Sequence, residues 1–183
     1  MNARAGAAGS NWHLATDGDD TAVTMFEFAL IQTFEAFQRS VVQIQRIVGD
    51  ANIQFSEGVL LHIVRMQERA KDATTLTRLL NRDDLPNVLY SLRKLAALGL
   101  VRKVRVGATT LFEITDAGVV ATDRYAELRR EIIVANMGDI VDVQKRLQQA
   151  TELLHSLTGR YDTAAREVAG MDPASLFGDR DNS

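Results

Sequence analysis

TTLTRLLNRDDLPNVLYSLRKLAALGLVRKVRVGATTLFEITDAG, residues 74–118, is the stretch whose reading decides the fold. It predicts a short helix through Leu80, capped by Thr74 or Thr75, with Lys71-Asp72-Ala73 as the turn before it. Asn81-Arg82-Asp83-Asp84 makes the next turn. Asp84 is placed to cap a longer helix, with Pro86 in its first turn, where a missing N–H costs nothing. In that helix Val88, Leu92 and Leu95 recur at spacings of four and three, on one face. At about 100° per residue, Pro86, Asn87, Tyr90, Arg93, Lys94 and Ala97 lie on the other side. Gly99 suits the left-handed position that ends a helix. Val101 to Val106 then alternates valine with Arg102, Lys103 and Arg105. Gly107-Ala108 turns the chain, and Leu111 to Ile114 returns as a second strand. Thr115 caps the helix that follows.

Helix, turn, helix and hairpin in this order form a winged helix-turn-helix. The expected fold class is mainly α with a small β-hairpin wing, the core being flanked by long N- and C-terminal dimerisation helices. A helix with a buried aliphatic stripe and a cationic, hydrogen-bonding outer face is what reading the major groove requires. Asn87, Tyr90 and Lys94 are the expected base-edge contacts, with Ser91 and Arg93 contributing from the flanks. Partial burial of Tyr90 against a neighbouring helix is the other reading of that residue. Thr75, Arg78, Arg102, Lys103 and Arg105 are the expected phosphate contacts, which position the protein without reading sequence.

The segment resembles the DNA-binding core of the MarR-type transcriptional regulators. The residues that carry the resemblance are Leu76-Thr77-Arg78-Leu79-Leu80, Leu92 and Leu95, Gly99-Leu100-Val101, and Ile114-Thr115-Asp116-Ala117-Gly118. The order of elements from about Thr24 to Leu157 fits as well. The resemblance implies a homodimeric repressor on a pseudo-palindromic operator. It also implies a small, often aromatic or anionic effector held between dimerisation helices and DNA-binding lobe. Phe34 and Phe37 are placed to line such a pocket, and packing explains them equally well. MarR-type wings are often longer and carry an Asp-x-Arg at the tip. No such motif stands between Val106 and Leu111, which leaves the minor-groove contact open and Arg102, Lys103 and Arg105 as phosphate contacts.

The 183 residues carry a formal charge of −3, awkward for a DNA binder until its distribution is seen. Between Arg78 and Arg105 stand seven cations and two anions, +5, which leaves −8 for the rest of the chain. The cations bracket the expected recognition helix and wing. An apolar fraction of 46% and a charged fraction of 25% are those of an ordinary soluble globular protein, and one domain is the natural expectation at this length. The absence of cysteine removes disulfides, zinc-thiolate sites and thiol switches. No apolar run is long enough to span a bilayer and no signal-like segment opens the chain, so the expectation is cytoplasmic, with no membrane partner.

The flanks complete the plan. Residues 1–22 read as a disordered tail in which Trp12 and His13 are mobile, a docking role for Trp12 being the alternative. Residues 23–50 read as an N-terminal dimerisation helix whose stripe is Phe26, Leu30, Phe34, Phe37, Val41, Ile44 and Val48. Gly49-Asp50 ends it. Residues 51–116 form the winged core. Ser56 is expected to cap its first helix, and Val59, Leu60, Ile63 and Val64 to face inward. Residues 117–165 are C-terminal dimerisation helices. Val119, Tyr125, Leu128 and Ile132 face inward in the first, and Asn136-Met137-Gly138 breaks the pattern. Asp139 caps the last, with Ile140, Val143, Leu147, Ala150, Leu154 and Leu157 as a near-heptad stripe stopped by Gly159. A further turn follows around Tyr161 to Val168, and residues 166–183 read as a flexible tail.

No cofactor, metal site or enzyme is expected. His13, His62 and His155 lack ligand spacing, and neither a phosphate-binding glycine loop nor a nucleophile elbow occurs. Adjacent Asp83 and Asp84 at a helix start are explained by capping and the helix dipole. The alternative function is a winged-helix interaction or assembly module without a DNA target, which the short wing and negative total charge favour.

Overall fold

The computed structural model describes residues 12–15, 17–49 and 53–172, in two compact units that divide between Glu131 and Ile132. The remaining parts of the expected tails, 1–11, 16 and 173–183, and the expected boundary at 50–51 lie outside the described residues.

The first unit opens with α1 (Gly18–Val48), five residues earlier than the expected start at residue 23. Asp17 sets this start, accepting the Asp20 N–H at 2.8 Å, while Asp19 and Asp20 favour the positive end of the helix. The acidic run expected in a disordered tail is thus a helix cap. Trp12 also has a place, its ring meeting Phe28 edge-on at 5.7 Å, and the Thr24 hydroxyl donates to the Leu14 carbonyl. Along α1 only Thr24, Val41, Ile44 and Gln45 are buried. Phe34 and Phe37 are half-exposed and touch Phe55 edge-on.

Helix α2 (Phe55–Arg65) begins at Gln54, not at Ser56, because Glu57 reaches back to accept the Gln54 N–H at 2.8 Å. Leu60, Leu61 and Val64 are its buried apolar residues. Val59 and Ile63 are half-buried. Beyond its end Gln67 and Glu68 both take positive φ (65° and 49°). The buried Lys71 ammonium gathers the carbonyls left over there, donating to those of Val64, Met66 and Arg69. Burial, and secondarily Arg69, hold the Lys71 amine below its ordinary range.

Lys71-Asp72 is a strand, β1, where a turn was expected; Lys71 pairs with Phe112 and Asp72 with Leu111. Asp72 then caps α3 (Ala73–Leu79), accepting the Thr75 N–H at 2.9 Å, a role expected of Thr74 or Thr75. Helix α4 (Leu85–Ala97) starts after Asp84 and buries Val88, Ser91, Leu92 and Leu95. A Schellman closure ends it: Leu100 N–H reaches the Leu95 carbonyl and Gly99 N–H that of Ala96, both at 3.0 Å, with Gly99 at φ +72°. Strands β2 (Val101–Val106) and β3 (Thr109–Ile114) pair antiparallel from Val101–Ile114 to Val106–Thr109. The two-residue turn needs positive φ at Gly107, where it is +60°. Sheet order is β1-β3-β2.

Helix α5 (Asp116–Arg129) is capped by Thr115, which accepts the Gly118 N–H at 3.1 Å and donates its hydroxyl to the Gly99 carbonyl at 2.6 Å. Gly118, Thr122 and Tyr125 are buried on it. Ile132, expected inward, is half-exposed in a π turn spanning Arg130–Val134. The core of this unit gathers Ile53, Leu60, Leu61, Val64, Leu76, Val88, Leu92, Leu95, Val101 and Phe112. α1 packs on α2 and α5.

The second unit is dominated by α6 (Val143–Ala169), 27 residues with none buried. It begins later than expected: Ile140 precedes it, and Asp142 rather than Asp139 occupies the cap position, in left-handed backbone (φ 54°). Gly159 does not stop it. The helix runs through to Gly170 and takes in the turn foreseen around Tyr161. Heptad spacing persists over this extension: Val143, Leu147, Ala150, Leu154, Leu157, Tyr161, Ala164 and Val168.

Candidate nucleic-acid interface

The core stripe of α4 fixes what its other side presents. With Val88, Leu92 and Leu95 no more than 1% exposed, the helix cannot rotate without unpacking the unit. Its outer face carries Pro86, Asn87, Tyr90, Arg93 and Ala97, all exposed. Tyr90 is 62% exposed, which excludes the reading that buries it against a neighbouring helix.

Ser91 and Lys94 do not join that face. Ser91 is buried, its hydroxyl 3.4 Å from Glu57 Oε1. Lys94 Nζ lies 3.2 Å from Glu57 Oε2, the pair retaining 28% and 7% side-chain exposure. The sequence expectation that put both among base-reading groups overlooked Glu57, a carboxylate on another helix. A polar residue one turn inside an apolar stripe was the available signal, because Ser91 sits only about 60° from the stripe's centre.

Asn87 is held differently. Its amide Nδ2 donates to Asp84 Oδ2 at 3.0 Å, and Arg82 grips the same carboxylate with two bonds of 2.8 and 2.6 Å. The Arg82 guanidinium, then the Asn87 amide, hold the Asp84 carboxyl down at about 2. Asp84 occupies the cap position, yet its carboxylate accepts no helix N–H. It orients Asn87 instead.

The wing divides its cations between two faces, since side chains alternate along a strand. Lys103 and Arg105 share the face of Val101. Lys103 lines a cavity of about 390 Å³ together with Thr74, Arg93, Thr109 and Thr110. Arg102 points the other way and pairs with Glu113 at 2.5 Å. On α3, Arg78 and Thr74 are exposed, whereas the Thr75 hydroxyl is committed to Asp72 at 2.7 Å. Of the expected phosphate contacts, Lys103 is therefore brought beside Arg93, and Arg105 lies farther out on the same face. Arg102 and Thr75 are occupied within the fold. Thr74, Thr109 and Thr110 line the same cavity without having been singled out; short hydroxyl residues at a helix start and at a hairpin turn look like ordinary turn residues in a sequence.

His62 stands apart from this surface. Its ring packs 4.4 Å from that of Tyr125, and burial, then Arg65 and Arg129, lower its pKa from the ordinary value. Among the described residues no cluster of histidines and carboxylates is suited to a metal ion, and no helix is long and apolar enough to cross a membrane.

Residues 56–118 match the sequence profile of the winged helix DNA-binding domain. No curated protein matches the chain by sequence. Among solved structures, it is similar to the transcriptional regulator BldR from Sulfolobus solfataricus (20% identity, 71% of this chain and 95% of that one, TM-score 0.55). It is similar also to a MarR-family transcriptional regulator from Rhodococcus sp. RHA1 (14%, 74% and 94%, 0.57). A third is CouR from Rhodococcus jostii RHA1, solved bound to p-coumaroyl-CoA (14%, 73% and 91%, 0.58). Residues 56–118 of this chain form a winged helix domain. The fold of the chain is like that of the MarR-family regulator from Rhodococcus sp. RHA1.

Proposed function

We propose that the protein is a transcriptional regulator that binds double-stranded DNA in a sequence-specific manner as a homodimer. The observation that carries this reading is the exposed face of α4, which presents Tyr90 and sets Arg93 beside the wing's Lys103. Tyr90 on a monomeric surface has no packing role to explain it. In a major groove its ring can meet a thymine methyl and its hydroxyl a phosphate, while Asn87 can pair with adenine and Arg93 with guanine. Lys103, Arg105, Arg78 and Thr74 are suited to phosphates.

The second unit supports the dimer. A 27-residue helix with no buried residue and an unbroken apolar stripe finds its natural cover in another copy of itself. Two-fold symmetry would place the two α4 helices in successive major grooves, about 34 Å apart, on a pseudo-palindromic operator. The structure of CouR with p-coumaroyl-CoA supports a small-molecule effector for this chain too, and CouR's description as a transcriptional repressor supports action as a ligand-responsive repressor. Such an effector would act by shifting the population between DNA-competent and incompetent dimers.

Fluorescence anisotropy with the gene's own upstream DNA and a scrambled control, at several salt concentrations, tests the reading. Preferential binding that is lost in Tyr90→Ala is expected. Absence of binding at low salt, to this DNA and to DNA from an unbiased selection, overturns the reading in favour of a protein-interaction module.

A further inference from the structure

We infer that Glu57 is a positioning residue for DNA recognition, one that withholds Lys94 from the DNA and so decides which α4 side chains read it. The inference rests on the regulator reading above and refines it. Glu57 sits on α2 with its side chain 7% exposed. It receives three donors. The Gln54 N–H and Lys94 Nζ come to Oε2 at 2.8 and 3.2 Å, and the Ser91 hydroxyl to Oε1 at 3.4 Å.

Two of those donors belong to α4, on its flank nearest α2. A buried carboxylate stripped of its lysine would be left uncompensated, a far larger loss than that of an exposed pair. A phosphate that takes Lys94 must therefore leave the Glu57 side chain without its cation in a largely dry site. Arg93, on the opposite flank beside Lys103, has no such tie among the described residues. The effect is to shift the reading face toward Tyr90, Arg93 and the wing, and to remove one cation per recognition helix from the DNA contact. Pairing with Glu57 also leaves the segment Arg78–Arg105 less cationic toward a ligand than its composition implies.

The test uses the full chain and the dependence of binding on salt, which a residue that merely holds the fold together would not alter. Each phosphate neutralised by a cation contributes about 0.9 to the slope of log K against log salt. The Lys94→Met variant should bind with the wild-type slope. Glu57→Gln keeps an acceptor for the Gln54 N–H but frees the lysine. Its slope should steepen by about 1.8 for a dimer, about a twelve-fold change in relative affinity between 50 and 200 mM salt. The double variant Glu57→Gln/Lys94→Met should return to the wild-type slope.

A slope in Lys94→Met lower by about 1.8 would overturn the inference, since Lys94 would then be touching DNA in the wild type. So would a Glu57→Gln variant that binds every sequence more weakly at an unchanged slope, or a double variant that keeps the steeper one. The double variant, which removes the buried carboxylate together with the lysine, carries the test should either single variant fail to fold: a slope lower than the wild type's by about 1.8 there overturns the inference. A wild type that binds no DNA sinks the regulator reading and this inference together. That outcome is distinct from any of the slope results.

Discussion

Gly118 lies directly under the Leu100 carbonyl: a Cβ on Gly118 would stand 2.2 Å from that oxygen and 2.7 Å from Ile114 Cγ1. Leu100 cannot move away, because its carbonyl accepts the Thr115 N–H at 3.1 Å and its own N–H closes α4 on Leu95. Gly118→Ala should therefore destabilise the domain by about 1–3 kcal/mol, toward the upper end because the obstacle is backbone. Urea unfolding followed by circular dichroism would measure it. An unchanged midpoint would mean that α5 can lift off the hairpin base at little cost.

Arg82 should govern the acid titration of Asp84. The Asp84 carboxyl is held at about 2, below the ordinary 3.8, first by Arg82 and then by Asn87. The Asp72 carboxyl is lowered in the same direction, first by the Thr75 backbone N–H and then by its hydroxyl. A folded-state value below the unfolded one gives a stabilisation complete above the ordinary carboxylate range and lost as pH falls through the folded value. Stability should thus decline below about pH 4 as both groups protonate. Arg82→Ala should raise the Asp84 value toward 3.8 in a carboxyl NMR titration and leave Asp72 where it is. If Asp84 stays low without Arg82, the ion pair is not what orients Asn87.

The stripe on α6 should control assembly. Leu154→Lys places two ammonium groups in a two-fold interface and removes two leucines from it, each worth about 1.5–3 kcal/mol when buried. Sedimentation at micromolar concentration should show loss of the dimer. Gly159→Ala should do the reverse of harm. A Cβ there meets nothing within 4 Å, and alanine favours a helix interior by about 1 kcal/mol. Dimerisation that survives Leu154→Lys would move the interface off this stripe.

The two faces of the wing should behave differently on DNA. Lys103→Ala should lower the salt slope by about 1.8 in a dimer, one phosphate per half-site, whereas Arg93→Ala should relax selectivity at the guanine it reads. Arg102→Ala should leave the slope unchanged, its guanidinium being paired with Glu113 on the other face. Asn87→Ala should relax selectivity at one base position, by about 1–3 kcal/mol. Equal effects of Lys103→Ala and Arg102→Ala would mean that the wing twists on binding.

Much of the fold was legible because its signals are local. The periodicity of Val88, Leu92 and Leu95, the left-handed positions at Gly99 and Gly107, and Thr115 as a cap are written within a few residues of where they act. The errors arose where a distant or competing partner decided the outcome. Asp72 outcompeted the threonines because its carboxylate accepts both the Thr75 N–H and its hydroxyl. Strand β1 exists only because Phe112, far along the chain, lies beside Lys71. Gly159 looked like a helix stop, but a glycine on the side of a long helix away from its apolar stripe is tolerated at modest cost. The candidate site followed the same division. Tyr90 and Arg93 could be placed by helical phase alone, whereas Lys94 and Ser91 required Glu57, 37 and 34 residues away.

The stripe on α6 is uneven across its width. One edge is uniformly bulky, with Leu147, Leu154, Tyr161 and Val168; the other alternates Val143, Ala150, Leu157 and Ala164. Such a surface is toothed, with gaps at the alanines into which an opposing large side chain can close. Sliding one helix past another by seven residues would bring leucine to where alanine had been. The teeth would meet instead of meshing, and the helices would be forced apart. This sequence of large and small residues can act as a ruler as well as an adhesive, fixing where along its length a matching helix must stop.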